Sequence, residues 1–212
     1  MGMRRGAFRP GDKATDLSAR RAELEFGGVD VDTFARLLRR AGRSAETAGA
    51  IKSQYARELK EGDSSVGTLG FFACGRLVGA LSFGRVREVL DPSRVSGRID
   101  VVITEPDCRG CGIAGLLVSK LLEDLDAELG ERLSNLSVLA IHPAIVRIVE
   151  RFGFAALSHG ETPLYSLRLD DPARARCLEL ASSTLRTGIT RLRNQCVRCQ
   201  RHLWVKPWCE TP

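Results

Sequence analysis

The stretch of this 212-residue chain that most constrains its fold is Arg109-Gly110-Cys111-Gly112-Ile113-Ala114, because of what stands on either side of it. Ahead of it, Arg98 to Thr104 reads as a buried strand, followed by Glu105-Pro106-Asp107-Cys108. Behind it, Ile113, Leu116, Leu117, Leu121, Leu122, Leu125 and Leu129 share one helical stripe, and Gly130 supplies the stop. A strand that turns through glycines into a helix leaves the first N–H groups of that helix without intrahelical acceptors. The helix dipole adds about half a positive charge at the same place. Glycines let a ligand approach the backbone closely, so a pyrophosphate is the natural occupant of such a turn.

The surrounding sequence supplies a sheet for this junction to belong to. A short strand is expected near Arg21 to Phe26. Asp30 and Asp32 then precede Phe34, Ala35, Leu37 and Leu38, a capping signal ahead of helical spacing, and Ala45 to Leu59 reads as a second helix. Val66 to Cys74 and Leu77 to Val86, joined by Gly75-Arg76, form a hairpin signal. Leu136 to Ile141 is apolar enough for a buried strand, and Pro143 opens a short helix that Gly153 closes. Pro163 to Leu169 alternates as a last strand, and Asp171 to Arg193 returns to a helical pattern. These elements divide the chain into a polar leader over 1–20, a main domain over 21–170 and an extension over 171–212.

Composition narrows the class. With 43% hydrophobic and 27% charged residues the chain can build a packed core. No stretch reaches the roughly 18 apolar residues of a membrane span, and the Arg-bearing start lacks a secretory apolar segment, so a cytoplasmic protein is expected. Seven cysteines, an odd count spread over core and loop positions, suit reduced thiols better than a disulfide framework. The net charge of +6 sits mostly at the end: from Asp171 onward eight Arg and Lys face Asp171, Glu179 and Glu210, a surplus of five. Such a segment can dock nucleic acid or a partner protein, or it can be a solvated helix face.

Gly110, Gly112 and Gly115 spell a literal G-x-G-x-x-G, the fingerprint of a dinucleotide fold. Context argues against that reading. Glu105 to Arg109 separate the glycines from the strand, and the next strand ends at Ile141-His142 without the acidic residue that would hold a ribose.

The Arg-x-x-Gly-x-Ala string instead resembles the acyl-coenzyme A signature of the Gcn5-related N-acetyltransferase (GNAT) family. His142-Pro143 through Glu150-Arg151-Phe152-Gly153-Phe154 resembles that family's second stretch, which ends in Gly-Phe, and Gly79-Ala80-Leu81 is similar to its hairpin. The resemblance covers about residues 21 to 170. It implies an α/β fold with a mixed, largely antiparallel sheet flanked by helices, here with a basic helical extension. It further implies an N-acetyltransferase that takes acetyl-coenzyme A (acetyl-CoA) as co-substrate and passes the acyl group to a primary amine in a ternary complex. The backbone amides of Cys111, Gly112, Ile113 and Ala114, in the loop opened by Gly110, would bind the pyrophosphate. Arg109 would brace the loop or touch the phosphate, and Val102, Ile103 and Thr104 would pair with the pantetheine arm.

Acyl transfer to an amine needs a base, and Asp100, near the start of the fourth strand, is the first candidate; a surface carboxylate is the alternative. His142, at a strand end, is the second, although at a helix start it can equally cap or pack. Tyr165 is a candidate acid from the last strand. One departure stands out: many family members carry a tyrosine where this chain has Val149, and valine cannot protonate a leaving thiolate. In the extension, Cys196, Cys199, His202 and Cys209 are four soft ligands that zinc could use, but their irregular spacing favours a reduced CxxC, with Trp204 and Trp208 packing nearby. Cys108 and Cys111 form a second CxxC inside the loop, where a shared zinc would block the phosphate. The acceptor is not legible, and a homodimer is left open.

Overall fold

The computed structural model of the protein describes residues 23–61, 64–139, 142–158 and 163–203, with 54–61, 64–65, 171 and 194–203 described by backbone alone. The leader over 1–20, Ile141, Trp204, Trp208 and Cys209 lie outside the described residues, as do the side chains of Cys196, Cys199 and His202 and with them the zinc set.

In chain order the elements are β1 (Leu24–Gly28), α1 (Val31–Arg40), α2 (Ala45–Glu61), β2 (Ser64–Ala73), β3 (Arg76–Arg87), β4 (Val95–Thr104), α3 (Ile113–Leu129), β5 (Leu133–Leu139), α4 (Pro143–Arg151), β6 (Ala155–Ala156), β7 (Leu164–Arg168) and α5 (Asp171–Leu203). The strands form one sheet in the order β1-β2-β3-β4-β5-β7-β6. Neighbouring strands run antiparallel except β4 and β5, which are parallel and connected through α3. This is the mixed, largely antiparallel sheet expected from the sequence.

Boundaries moved where polar or small residues sit in strands. β4 begins at Val95 rather than Arg98, and Gly97 makes room for its cross-strand partner: a Cβ there would come 2.7 Å from the Leu136 side chain of β5. β5 begins at Leu133, before its polar Ser134 and Asn135, because Ser134 donates to the Val95 carbonyl and Asn135 to the Ser96 hydroxyl across the sheet. The two-residue β6 went unread because two alanines carry no strand signal.

Each face of the sheet has its own core. On one, Leu81, Ile99, Leu136 and Val138 pack beneath α3 and α4; on the other, Leu77, Ala80 and Ile103 pack beneath α1 and α2. Helix α3 is buried on two sides. Ile113, Leu117, Leu121 and Leu125 meet the sheet core, while Leu116 meets α5, where a Cβ on Gly188 would come 2.6 Å from the Leu116 side chain. Cys177, Ala181, Leu185 and Leu192 of α5 belong to the same core as the sheet, so the change of composition at 171 is not a break in the packing. The helix also runs past Arg193 to Leu203.

Candidate functional site

Helix α3 starts without a cap of its own. Its N-cap is Gly112 in the left-handed conformation (φ 85°), and no side chain caps the helix. The first helical bond of the turn is Leu116 N–H to the Gly112 carbonyl at 3.1 Å. Among the described residues the N–H groups of Gly112, Ile113, Ala114 and Gly115 have no acceptor. Gly110 is also left-handed (φ 78°), so the loop needs glycine at both positions. At Gly79 on β3 a Cβ would meet Ile113 at 2.6 Å and Leu117 at 3.4 Å; its absence lets the first turn of α3 sit close on the sheet.

The loop's entry is tied down by charge. Glu105, only 3% exposed, receives Arg76 and lies 3.1 Å from Arg40, the last residue of α1. Arg109 reaches the other way and donates to the Ala41 carbonyl, at the C-terminal end of α1, at 3.0 Å. A guanidinium on a helix C-terminus is favoured by the dipole. Both contacts fasten the turn to α1. Cys108 is buried, and burial, reinforced by the charge of Glu105, pushes its thiol up to about 11, so it stays protonated at neutral pH.

Beside the loop the described β4–β5 ladder ends. Its last pair is Ile99 with Val138; β4 runs on to Thr104, and β5 is described as far as Leu139. From there Val102, Ile103 and Thr104 pair with Leu81, Ala80 and Gly79 of β3 alone among the described residues. The register of β3 and β4 shifts between Ser82 and Phe83: Ser82 faces Val101, Phe83 faces Ile99, and Asp100 is the extra residue of a bulge. A bulge re-aims side chains and strengthens local twist. Its effect is visible in the cores, where Ile99 belongs to the α3 side while Val101 and Ile103 belong to the α1–α2 side.

Asp100 itself accepts from Arg98 and lines a cleft of about 360 Å³ with Ile51 of α2, Ser82, Arg98, Ile99, Val101 and Leu139. The Ser82 hydroxyl is fully buried and lacks a hydrogen-bond partner among the described residues. Such groups are rare and mark a place where a ligand or water is expected.

The other two candidates lie elsewhere. His142 is exposed and caps α4, its Nδ1 accepting from Ala144 N–H at 3.1 Å. Tyr165 is buried opposite Val138 on the α3–α4 side, away from the cleft face of Asp100, and its hydroxyl lies 3.5 Å from Glu150. Burial first, then the Glu150 carboxylate, raises its pKa above the usual tyrosine range. Val149 is fully enclosed in the same core. Three contributors were missed in the sequence. Glu105 reads as an ordinary loop carboxylate, Ser82 as a strand residue, and Arg191 as one more arginine of the extension. The last donates to the Cys111 carbonyl at 3.4 Å and lies over Gly112. Only burial in a strand of otherwise apolar residues could have pointed to Ser82.

Among the described residues no helix is long and apolar enough to cross a membrane. No curated protein matches the chain. Solved structures do match in fold. A GNAT family N-acetyltransferase (YhbS) from Escherichia coli in complex with CoA is 23% identical, with a TM-score of 0.54 over 74% of this chain and 86% of that one. A spermidine N-acetyltransferase SpeG chimera from Vibrio cholerae and hSSAT is 14% identical, with a TM-score of 0.51 over 73% and 98%. An acetyl transferase from Salmonella typhimurium that modifies the N-terminal serine of a 50S ribosomal subunit protein is 14% identical, with a TM-score of 0.50 over 69% and 95%. The profile of the Acetyltransferase (GNAT) family matches residues 32–154, from the first turn of α1 to the Gly-Phe pair after α4, and the chain belongs to that family.

Proposed function

We propose that this protein transfers an acetyl group from acetyl-CoA to a primary amine within a ternary complex. The observation that carries the reading is the uncapped N-terminus of α3 beside Val102 to Thr104, which pair with β3 alone among the described residues, in a chain of the acetyltransferase family. The amides of Gly112, Ile113 and Ala114 would hold the pyrophosphate, as N–H groups at a helix N-terminus suit an anion, while that of Cys111, included in the sequence expectation, donates to the Cys108 carbonyl at 3.4 Å. Val102, Ile103 and Thr104 would lend their main chain to the pantetheine arm, and Arg109 would brace the loop through its hydrogen bond to the Ala41 carbonyl.

Acceptor chemistry belongs to the α2 side of the opening. In the cleft the Asp100 carboxylate would take the proton of the attacking amine, directly or through water, and Arg98 would fix its orientation. The Ser82 hydroxyl is free to bond the amine or that water. As the nitrogen bonds to the thioester carbon, the carbon–sulfur bond breaks and the thiolate of CoA leaves with the electron pair. Positioning alone supplies much of the barrier reduction, up to about 7–11 kcal/mol in intramolecular models. Asp100 is the favoured base because it lines the cleft; His142 caps α4 through Nδ1, and Tyr165, the candidate acid, lies with Glu150 on the opposite face.

Calorimetry with acetyl-CoA, followed by thioester consumption against pools of small amines, peptides and RNA, tests the reading. Binding with turnover on one pool supports it. Binding without turnover on any pool would favour a fold that holds CoA in a binding role, and no binding would refute the site.

A further inference from the structure

Helix α5 lies outside the segment matched by the family profile, yet it is aligned on the helix that opens the loop. Its contacts run antiparallel along α3: Arg174 lies 2.9 Å from Asp126, Ser182 donates to Glu123 at 2.6 Å, Gly188 packs on Leu116, and Arg191 reaches the loop. The Gly188 contact sets the height, because a larger residue there would lift α5 off Leu116. As a result the Arg191 guanidinium stands directly over the N-cap. Its Nη2 donates to the Cys111 carbonyl at 3.4 Å and would lie 2.6 Å from a Cβ at Gly112.

This arginine has no other assignment. Arg174 is consumed inside the fold by the Gly130 and Leu133 carbonyls and Asp126. Arg191 is exposed, and among the described residues no carboxylate pairs with it. A cation with no carboxylate partner among the described residues thus stands over Gly112, where four amides lack acceptors among those residues, at the positive end of α3. Gathering that much positive potential at one point is unfavourable unless an anion joins it, and a guanidinium matches two phosphate oxygens in a bidentate fork.

We propose that Arg191 is a phosphate-binding residue of the acyl-CoA site, so that the C-terminal helix, from outside the family segment, completes the cavity for the pyrophosphate. The proposal rests on the reading of the loop as that site. It assigns the extension a second role besides packing: α5 carries a counter-charge to the open end of α3, and the affinity for CoA is coupled to the seating of α5.

The test compares acetyl-CoA with S-acetylpantetheine, which shares the thioester arm and lacks the phosphates, on the full chain and on Arg191→Gln, Arg191→Lys and Arg193→Gln. Arg193 is exposed, two residues away and on another side of α5, and serves as the charge control. Arg191→Gln is expected to weaken acetyl-CoA about tenfold and to leave acetylpantetheine unchanged. Arg191→Lys should restore part of the loss, Arg193→Gln should change neither ligand, and the deficit should shrink as salt rises. An unchanged thermal midpoint for Arg191→Gln excludes a folding effect. Equal acetyl-CoA affinity in wild type and Arg191→Gln overturns the proposal and leaves the loop site standing, and tighter binding by the variant overturns it in favour of an arginine that obstructs the loop. Failure of the wild type to bind acetyl-CoA overturns the site and the proposal together.

Discussion

Helices α3 and α4 both follow strands in the same sheet and both start near the opening between β4 and β5, but they begin in opposite ways. α4 starts with Pro143, which has no N–H to satisfy, and His142 caps the next free amide. α3 starts with a left-handed glycine, and no side chain accepts from its amides. The α4 terminus is closed by its own sequence; the α3 terminus leaves its first amides without an acceptor among the described residues. Helix α1 resembles α4, since Asp30 accepts from both the N–H and the hydroxyl of Thr33. The difference teaches that a glycine at an N-cap, which is the weaker choice for helix stability, is informative when the neighbouring helices of the same chain are capped by side chains.

The comparison breaks first if α3 can be made to resemble α1. Gly112→Asp would set a side chain against the Arg191 guanidinium and an anion beside the amides, in a left-handed conformation that costs aspartate less than most residues. Acetyl-CoA affinity should fall at least about a hundredfold in calorimetry, with circular dichroism unchanged. Next in size is the anchor of the turn. Glu105→Ala removes the acceptor shared by Arg40 and Arg76 and should lower unfolding free energy by about 2 kcal/mol in denaturant titration, less than a fully buried pair because both arginines reach solvent.

How much of this was readable from the sequence differs between the two sides of the opening. The loop was legible because its signal is local: glycines between an apolar strand and an amphipathic stripe. The cleft was half legible. Asp100 could be named from its place in the strand, but the bulge that turns it toward α2 depends on register with β3, and no residue type in Arg98 to Thr104 announces it. Ser82 is conspicuous only when its missing partner is counted. The placement of α5 was illegible for a related reason. Its helical pattern was clear, but which arginine faces Gly112 is decided by the Gly188–Leu116 contact, 72 residues apart in the chain.

Smaller effects sharpen the contrast. Asp100→Asn should reduce the transfer rate at neutral pH by at least about tenfold and leave acetyl-CoA affinity as in wild type, separating the cleft from the loop. His142→Ala should cost about 0.5–1 kcal/mol of stability through the lost cap, with transfer kinetics preserved once the protein is folded. Acid titration extends the same argument. The Thr33 hydroxyl first, then its N–H, hold the Asp30 carboxyl below the usual carboxylate range. Its contribution to stability is therefore fully present above the unfolded carboxylate's range and is lost as pH falls through the lowered folded value. Asp30→Asn should flatten that part of the acid unfolding curve, whereas the terminus of α3, which has no titrating cap, contributes nothing to it.

The central claim is that the open amides of α3 take the phosphates of acetyl-CoA. Backbone amide NMR during a titration with acetyl-CoA tests it most directly. The account predicts that the largest saturable shifts belong to Gly112, Ile113 and Ala114, while Ala144, capped by His142 at the start of α4, stays in place. Saturable shifts that avoid the 112–114 amides, or none at all at millimolar ligand, would contradict it.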